Sequence, residues 1–206
     1  GELFDRSMWY MALLGVPIAF GIWAVAPDII LLAGKEYASA APVLQTLIFV
    51  LLPIFLDFPI GSLLNAVDRQ LTKTAVMGAT MVLSVALNAF LIPVFGTMGA
   101  AYAALISFWF LFLAGLWFIP SIIPAYRLKR LVDILLPIFF SGVVMAAVAV
   151  WTRDVLGFVA AVPAGALMYG TMLVLTKAVR REHLEEFRRL WKHEPASYEP
   201  PAASHA

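Results

Sequence analysis

One carboxyl group lies deep in an apolar stretch: Asp57, in the run from Pro42 to Ala66. That run is centred near Ile54, so a helix places Asp57 about three residues, or roughly 4–5 Å, from its midpoint. A carboxylate in hydrocarbon costs about 2.5–3.5 kcal/mol even on insertion scales, so it should face a cavity or a partner. At about 100° per residue, Pro53, Asp57, Gly61 and Asn65 fall within about 120° of one another, with Thr46 on the same arc. Pro53 and Pro59 each remove a backbone donor, and with Gly61 they are expected to kink the helix and expose carbonyls. A carboxyl, an amide, a hydroxyl and loosened backbone on one face suit an ion or substrate path. The other reading is a structural Asp bonded to a neighbouring helix. The next apolar run offers Thr80, Ser84 and Asn88 at four-residue steps. These line the same path or act as neutral polar bonds between helices. No Lys or Arg lies mid-span, so the cation that a phosphate-bearing ligand would want is missing.

Other chemistry is excluded by what the chain lacks. It has no Cys, and its three histidines, His183, His193 and His205, sit in the C-terminal tail at spacings that suit no metal. There is no nucleophile–base pair and no Gly-rich phosphate loop, so neither enzyme, cofactor nor metal site is expected. The net charge of +1 says nothing about nucleic acid, but there is no long basic block outside the tail and no stacking-aromatic motif, so nucleic acid is not expected as a partner.

The elements that must position Asp57 are membrane helices. Of 206 residues, 63% are hydrophobic and 13% charged, and mean hydropathy is +0.92. A soluble domain is only about 45–50% apolar, so lipid is the solvent for much of this surface. Six stretches are long enough to span a bilayer: Trp9–Pro27, Pro42–Ala66, Thr74–Phe95, Met98–Ile119, Leu131–Trp151 and Gly157–Thr176. They are continuous rather than alternating, which favours helices over a barrel. If both ends are cytoplasmic, only Lys35 and Arg153 of the 14 Lys and Arg fall outside, and the bias alternates through every loop. Trp9, Trp117 and Trp151 sit near span ends, as interface anchors would. Gly96–Thr97 alone connects the third and fourth spans, a tight antiparallel hairpin. Gly99, Ala103 and Ser107 in span four, and Gly157, Ala161 and Gly165 in span six, form small-residue stripes that favour close static packing.

The tail differs in kind. Over 177–194, Val179, Leu184, Phe187, Leu190 and Trp191 recur at near-helical spacing among Arg and Glu, which reads as an amphipathic helix at the cytoplasmic surface. Residues 195–206 are rich in Pro, Ala and Ser and are expected to be disordered.

Three segments carry a resemblance. The first is Ile29-Ile30-Leu31-Leu32-Ala33-Gly34-Lys35-Glu36-Tyr37, followed by Ala40, Ala41, Val43-Leu44 and Leu47. The second is Leu64-Asn65-Ala66 with Arg69. The third runs through Asn88, Leu91-Ile92-Pro93, Phe95-Gly96, Gly99-Ala100-Ala101 and Ala103-Ala104. In this order and spacing they resemble the polysaccharide and oligosaccharide flippases of the multidrug/oligosaccharidyl-lipid/polysaccharide exporter superfamily, best over residues 9–119. The resemblance implies an all-α membrane fold: residues 1–119 as four spans of the C-terminal lobe of a MATE-like two-lobe transporter, and 120–176 as two additional spans. By that likeness the chain corresponds to spans nine to fourteen, and an N-terminal lobe is expected upstream of Gly1. It further implies alternating access in the cytoplasmic (inner) membrane for an undecaprenyl-type lipid carrying an oligosaccharide, in cell-surface polysaccharide biosynthesis. A rival within the superfamily is a drug exporter coupled to H+ or Na+. A rival of another class is a membrane scaffold that holds an envelope synthase.

The tail yields a direct test. Replacing Arg180, Arg181, Arg188 and Arg189 with Gln should loosen its contact with anionic membranes, each charge being worth about 1 kcal/mol at such a surface. In vesicle co-sedimentation, a tail peptide should bind anionic vesicles far better than neutral ones. Equal binding to both would show a merely solvated helix.

Overall fold

The computed structural model describes residues 1–123 and 126–176. Its elements are α1 (Glu2–Ala33), a 3-10 turn (Lys35–Ala40), α2 (Ala41–Leu47), a 3-10 turn (Ile48–Val50), α3 (Leu51–Ala66), α4 (Gln70–Phe95), α5 (Thr97–Trp117), α6 (Ile119–Ile122), α7 (Leu128–Leu156) and α8 (Phe158–Leu175). Among the described residues these form six helical stretches long and apolar enough to cross a membrane. All six expected spans are present, and most are longer than their apolar runs. Helix α1 starts at Glu2 rather than Trp9, and α4 at Gln70 rather than Thr74. Backbone hydrogen bonding continues a helix past the point where its side chains turn polar, so hydropathy alone truncates the ends. The expected tail helix, 177–194, and the expected disordered segment, 195–206, lie outside the described residues.

Packing runs in the order α7, α1, α3, α5, α4, with α8 against both α7 and α1. Thus α7 and α8 dock on α1, away from the α4–α5 hairpin. The core is built from Met8, Val16, Leu56, Ile60, Leu64 and Ile138, each almost fully buried. Trp9 belongs to this core as well, at 7% exposure, because α1 begins a full two turns earlier than hydropathy suggests. It is therefore not the lipid-facing anchor expected, whereas Trp117 and Trp151 are exposed near helix ends.

Close approach is obtained with glycine. The connection between α4 and α5 is the single residue Gly96 at φ 57°, ψ −132°, a conformation that favours glycine. Gly99 then lies against the Leu91 carbonyl of α4, where no side chain fits. Gly142 of α7 rests on Val16 and Phe20 of α1, and a Cβ at Gly165 of α8 would stand 3.3 Å from that of Ala149. The stripe residues Gly99, Ala103, Ser107, Ala161 and Gly165 are all buried, while Gly157 forms the α7–α8 turn at φ 89°.

Prolines inside α1 leave carbonyls without their helical donors. Pro17 cannot donate to Leu13, and the Tyr169 hydroxyl of α8 donates to the Leu13 oxygen instead, at 3.1 Å. Pro27 cannot donate to Trp23, and the Gln45 amide of α2 donates to the Trp23 oxygen, at 3.2 Å. Pro53 likewise has no N–H for Phe49, and the chain tightens into its 3-10 turn over Ile48–Val50 just before it. Pro59 sits inside α3, which continues to Ala66.

Two polar clasps join α1 to α7. At one end the Asp5 carboxylate, 5% exposed, accepts a hydrogen bond from the Tyr126 hydroxyl at 2.6 Å and pairs with Arg130 Nε at 2.7 Å. Burial, and then the Asp5 hydrogen bond and charge, push the Tyr126 phenol well above its ordinary range, so it stays a neutral donor. At the other end Arg153 Nε stands 3.6 Å from Asp28, and Arg153 Nη1 donates to the Ala24 oxygen at 2.9 Å. Asp5 to Asp28 and Arg130 to Arg153 are equal intervals, about 23 residues or roughly 34 Å of helix each. The clasps therefore hold α1 and α7 parallel, with their charges about one hydrocarbon thickness apart.

Arg130→Gln leaves the buried Asp5 carboxylate with only Tyr126, and should lower stability by about 1–3 kcal/mol, given that Arg130 itself is largely solvated. Thermal unfolding of the full-length protein in detergent checks this, and Arg130→Lys should recover part of the loss. An unchanged melting temperature would mean that the pair does not hold α7. Orientation is tested separately. Single cysteines at the exposed Leu32 and Leu156 should react with an impermeant thiol reagent on intact cells, whereas one at Lys129 should not, following the Lys and Arg asymmetry. Labelling at Lys129 would invert the topology.

Candidate substrate path at Asp57

Asp57 is half-buried on the side of α3 that meets α5. Gly115 of α5 lies beside it. A Cβ on Gly115 would stand 3.4 Å from Asp57 Oδ1 and 3.0 Å from the Ile60 side chain. Pro53 and Gly61, one turn to either side, are buried, and Leu56 and Ile60 carry the apolar flank into the core. Among the described residues, no hydrogen bond to Asp57 from a neighbouring helix is formed, so the structural-bond reading finds no partner. Asp57 is also not the most enclosed acid of the chain, since Asp5 is buried more deeply, in the first clasp.

A cation does reach this region, and hydropathy missed it. Lys73, in the first turn of α4, extends its side chain over α3. Its Nζ lies 2.9 Å, and its Cε 3.2 Å, from where a Cβ would sit on Gly61. Gly61 is one turn along α3 from Asp57. The Asp57 carboxyl and the Lys73 ammonium do not form a contact ion pair among the described residues. The signal was present in the sequence: a glycine on the polar arc of one helix, and a four-carbon ammonium stem four residues past the turn that follows it.

Lys73 also begins a polar stripe. At about 100° per residue, Lys73, Thr80, Ser84 and Asn88 fall within about 80° on α4, and they span roughly 22 Å of its length. All four are half-buried, while Val82 and Val85 on the outer side are exposed, and the exposed Met77, which falls on the same arc, interrupts the stripe between Lys73 and Thr80. Its polar groups bond within their own helix: Thr80 Oγ1 donates to the Val76 oxygen at 2.8 Å, and Asn88 Nδ2 to the Ser84 oxygen at 2.8 Å. They are therefore not bonds between helices.

The remaining sequence candidates are more dispersed. Asn65 is exposed near the end of α3, one turn beyond Gly61. Thr46 lies on α2, beyond the 3-10 turn, with its hydroxyl donating to the Pro42 oxygen at 3.0 Å. It is about 11 residues, or roughly 16 Å, from Asp57 along the helix direction and is not brought to it. The structure thus gathers Asp57, Gly61, Asn65 and Lys73 at one end, extends from them along Ser84 and Asn88, and leaves Thr46 apart. Among the described residues, no group of His, Asp and Glu side chains is arranged to hold a metal ion.

Comparison with known proteins agrees with this architecture. No solved structure matches the chain. An uncharacterized membrane protein of Methanocaldococcus jannaschii is 28% identical over 166 residues, an alignment that covers 68% of this chain and 32% of the relative. The chain therefore spans about a third of the length of that relative. The MatE family model matches residues 1–90, which hold α1 to α3 and most of α4, including Asp57, Gly61 and Lys73.

Proposed function

We propose that this chain forms part of a transporter that moves a lipid-linked oligosaccharide, on an undecaprenyl-type carrier, across the cytoplasmic membrane by alternating access. It would work with an N-terminal lobe of the same protein and serve cell-surface polysaccharide synthesis. The observation that carries the reading is the pairing of Asp57 and Lys73 across Gly61, at the base of a polar stripe in an otherwise apolar bundle. Charges kept in hydrocarbon without a contact partner are costly, and function is the usual reason for keeping them. The similarity to MatE over residues 1–90 supports a transporter. The three sequence segments that resemble polysaccharide flippases support the lipid-linked sugar. The stripe of hydroxyl and amide groups suits a polyhydroxylated cargo better than a flat apolar one. Asp57 also favours a second reading, a drug exporter coupled to H+ or Na+, because a lone intramembrane carboxyl can bind a cation.

Asp57→Asn in the full-length protein separates function from structure. The amide keeps the shape and loses the charge, and no hydrogen bond from another helix is there to be lost. Insertion and thermal stability should be retained, and Asp57→Leu should gain about 1–3 kcal/mol by removing a carboxyl from an apolar site. Transporter-dependent surface polysaccharide should fall at least about tenfold in cells expressing Asp57→Asn at the wild-type level, an energetic loss of about 1.4 kcal/mol or more. Full display would remove Asp57 from the transport cycle. Loss of drug resistance with intact polysaccharide would select the exporter reading.

A further inference from the structure

We propose that Lys73, its ammonium seated over Gly61, is the contact for the phosphate or diphosphate group of a lipid-linked substrate. The inference rests on the flippase reading above and adds to it the group that the site grips. Lysines near the end of a membrane helix ordinarily carry their ammonium outward, to water. Lys73 does not. Its Nζ lies at the level of Gly61, about 7 Å along α3 from the end of that helix at Ala66, over a buried position that can take it only because it lacks a Cβ. Among the described residues no hydrogen bond or contact ion pair engages the ammonium, so its three donors are unspent.

The surroundings select an anion. Among the described residues Asp57, one turn along α3 from Gly61, forms no contact ion pair with the ammonium, so an arriving anion meets a cation that has no salt bridge to break. Arg69, the other cation of this turn, is engaged elsewhere, donating from Nη1 to Ser121 Oγ at 2.7 Å. Thr80, Ser84 and Asn88 continue from Lys73 along the same face and offer hydroxyl and amide groups to a sugar. Helix α4 carries no buried residue, and Met77, one turn on from Lys73 on the same arc, is exposed. A long isoprenoid chain attached to the phosphate therefore has an apolar surface to follow from the site. A polar sugar, an anionic diphosphate that joins it to the lipid, and an apolar tail are the three parts of a polyprenyl diphosphate sugar.

The test uses the full-length protein in phosphatidylcholine nanodiscs, with farnesyl diphosphate and inorganic pyrophosphate as probes. Wild type should bind farnesyl diphosphate, Lys73→Gln should bind at least tenfold more weakly, and Lys73→Arg should retain binding, which guards against a folding defect. Gly61→Val should weaken binding similarly with the lysine intact, by filling the seat of its ammonium. Asp57→Asn should bind as tightly as wild type or more so, since it removes the competing negative charge. Equal binding by wild type and Lys73→Gln would overturn the assignment. Pyrophosphate binding as tightly as farnesyl diphosphate would overturn the lipid part and leave a site for a free anion. If Lys73→Gln binds normally while Asp57→Asn still abolishes polysaccharide display, the assignment of Lys73 fails and the flippase reading stands. If binding falls as expected and neither variant affects display, the anion site stands and the flippase reading fails.

Discussion

In hydrocarbon, a backbone carbonyl that loses its helical donor has no water to turn to, so another part of the protein must supply a donor. Helix α1 meets this constraint twice. Pro17 and Pro27 free the oxygens of Leu13 and Trp23, and Tyr169 and Gln45 come from α8 and α2 to bond them. Each such bond contributes about 0.6–2 kcal/mol by comparison with other membrane proteins. The directional effect is larger than the energy. The bonds fix where α8 and the start of the second span must stand around α1, the helix against which α3, α7 and α8 all pack.

The two α1–α7 clasps act on the same helix and set its register. Acids at positions 5 and 28 meet arginines at 130 and 153, so that the two helices can slide neither along nor past each other without separating both pairs. Between the clasps, little but van der Waals contact remains to hold the helices, since lipid is as apolar as the core. Gly142 against Val16 supplies that contact between α7 and α1, and Gly165 against Ala149 does the same between α8 and α7. On the other flank, Gly99 against the Leu91 carbonyl does the same for the α4–α5 hairpin.

Glycine plays a second part at the candidate site. Gly61 leaves open the space that the Lys73 ammonium takes, so a residue type that lets helices approach elsewhere here admits a charged group. The contrast with Asp5 is informative. Asp5 is more buried than Asp57, yet it is matched by Tyr126 and Arg130 at close distance, as a structural acid should be. Asp57 and Lys73 attract one another without meeting. A pair at contact would have its charges largely cancelled; a pair held apart keeps a field in which a ligand or ion can be bound.

The six spans, the α4–α5 hairpin and the buried small-residue stripes were legible from the sequence, because each depends on composition and spacing along one helix. Continuous apolar runs define spans, and Gly99, Ala103 and Ser107 mark a close face whatever packs on it. Asp57 could be singled out for the same reason, since one carboxyl in an apolar run is costly wherever its neighbours lie. What joins different helices was not legible. The donors for the carbonyls freed by Pro17 and Pro27 come from residues 169 and 45, the partners of Asp5 from 126 and 130, and Trp9 was assigned to lipid although it lies in the core. Lys73 reads as a loop charge because hydropathy starts its helix too late, at Thr74 rather than Gln70. A flexible side chain has several angstroms of reach, and only the packing of α4 on α3, with a glycine at residue 61, decides that the ammonium turns inward toward Asp57 rather than outward to water.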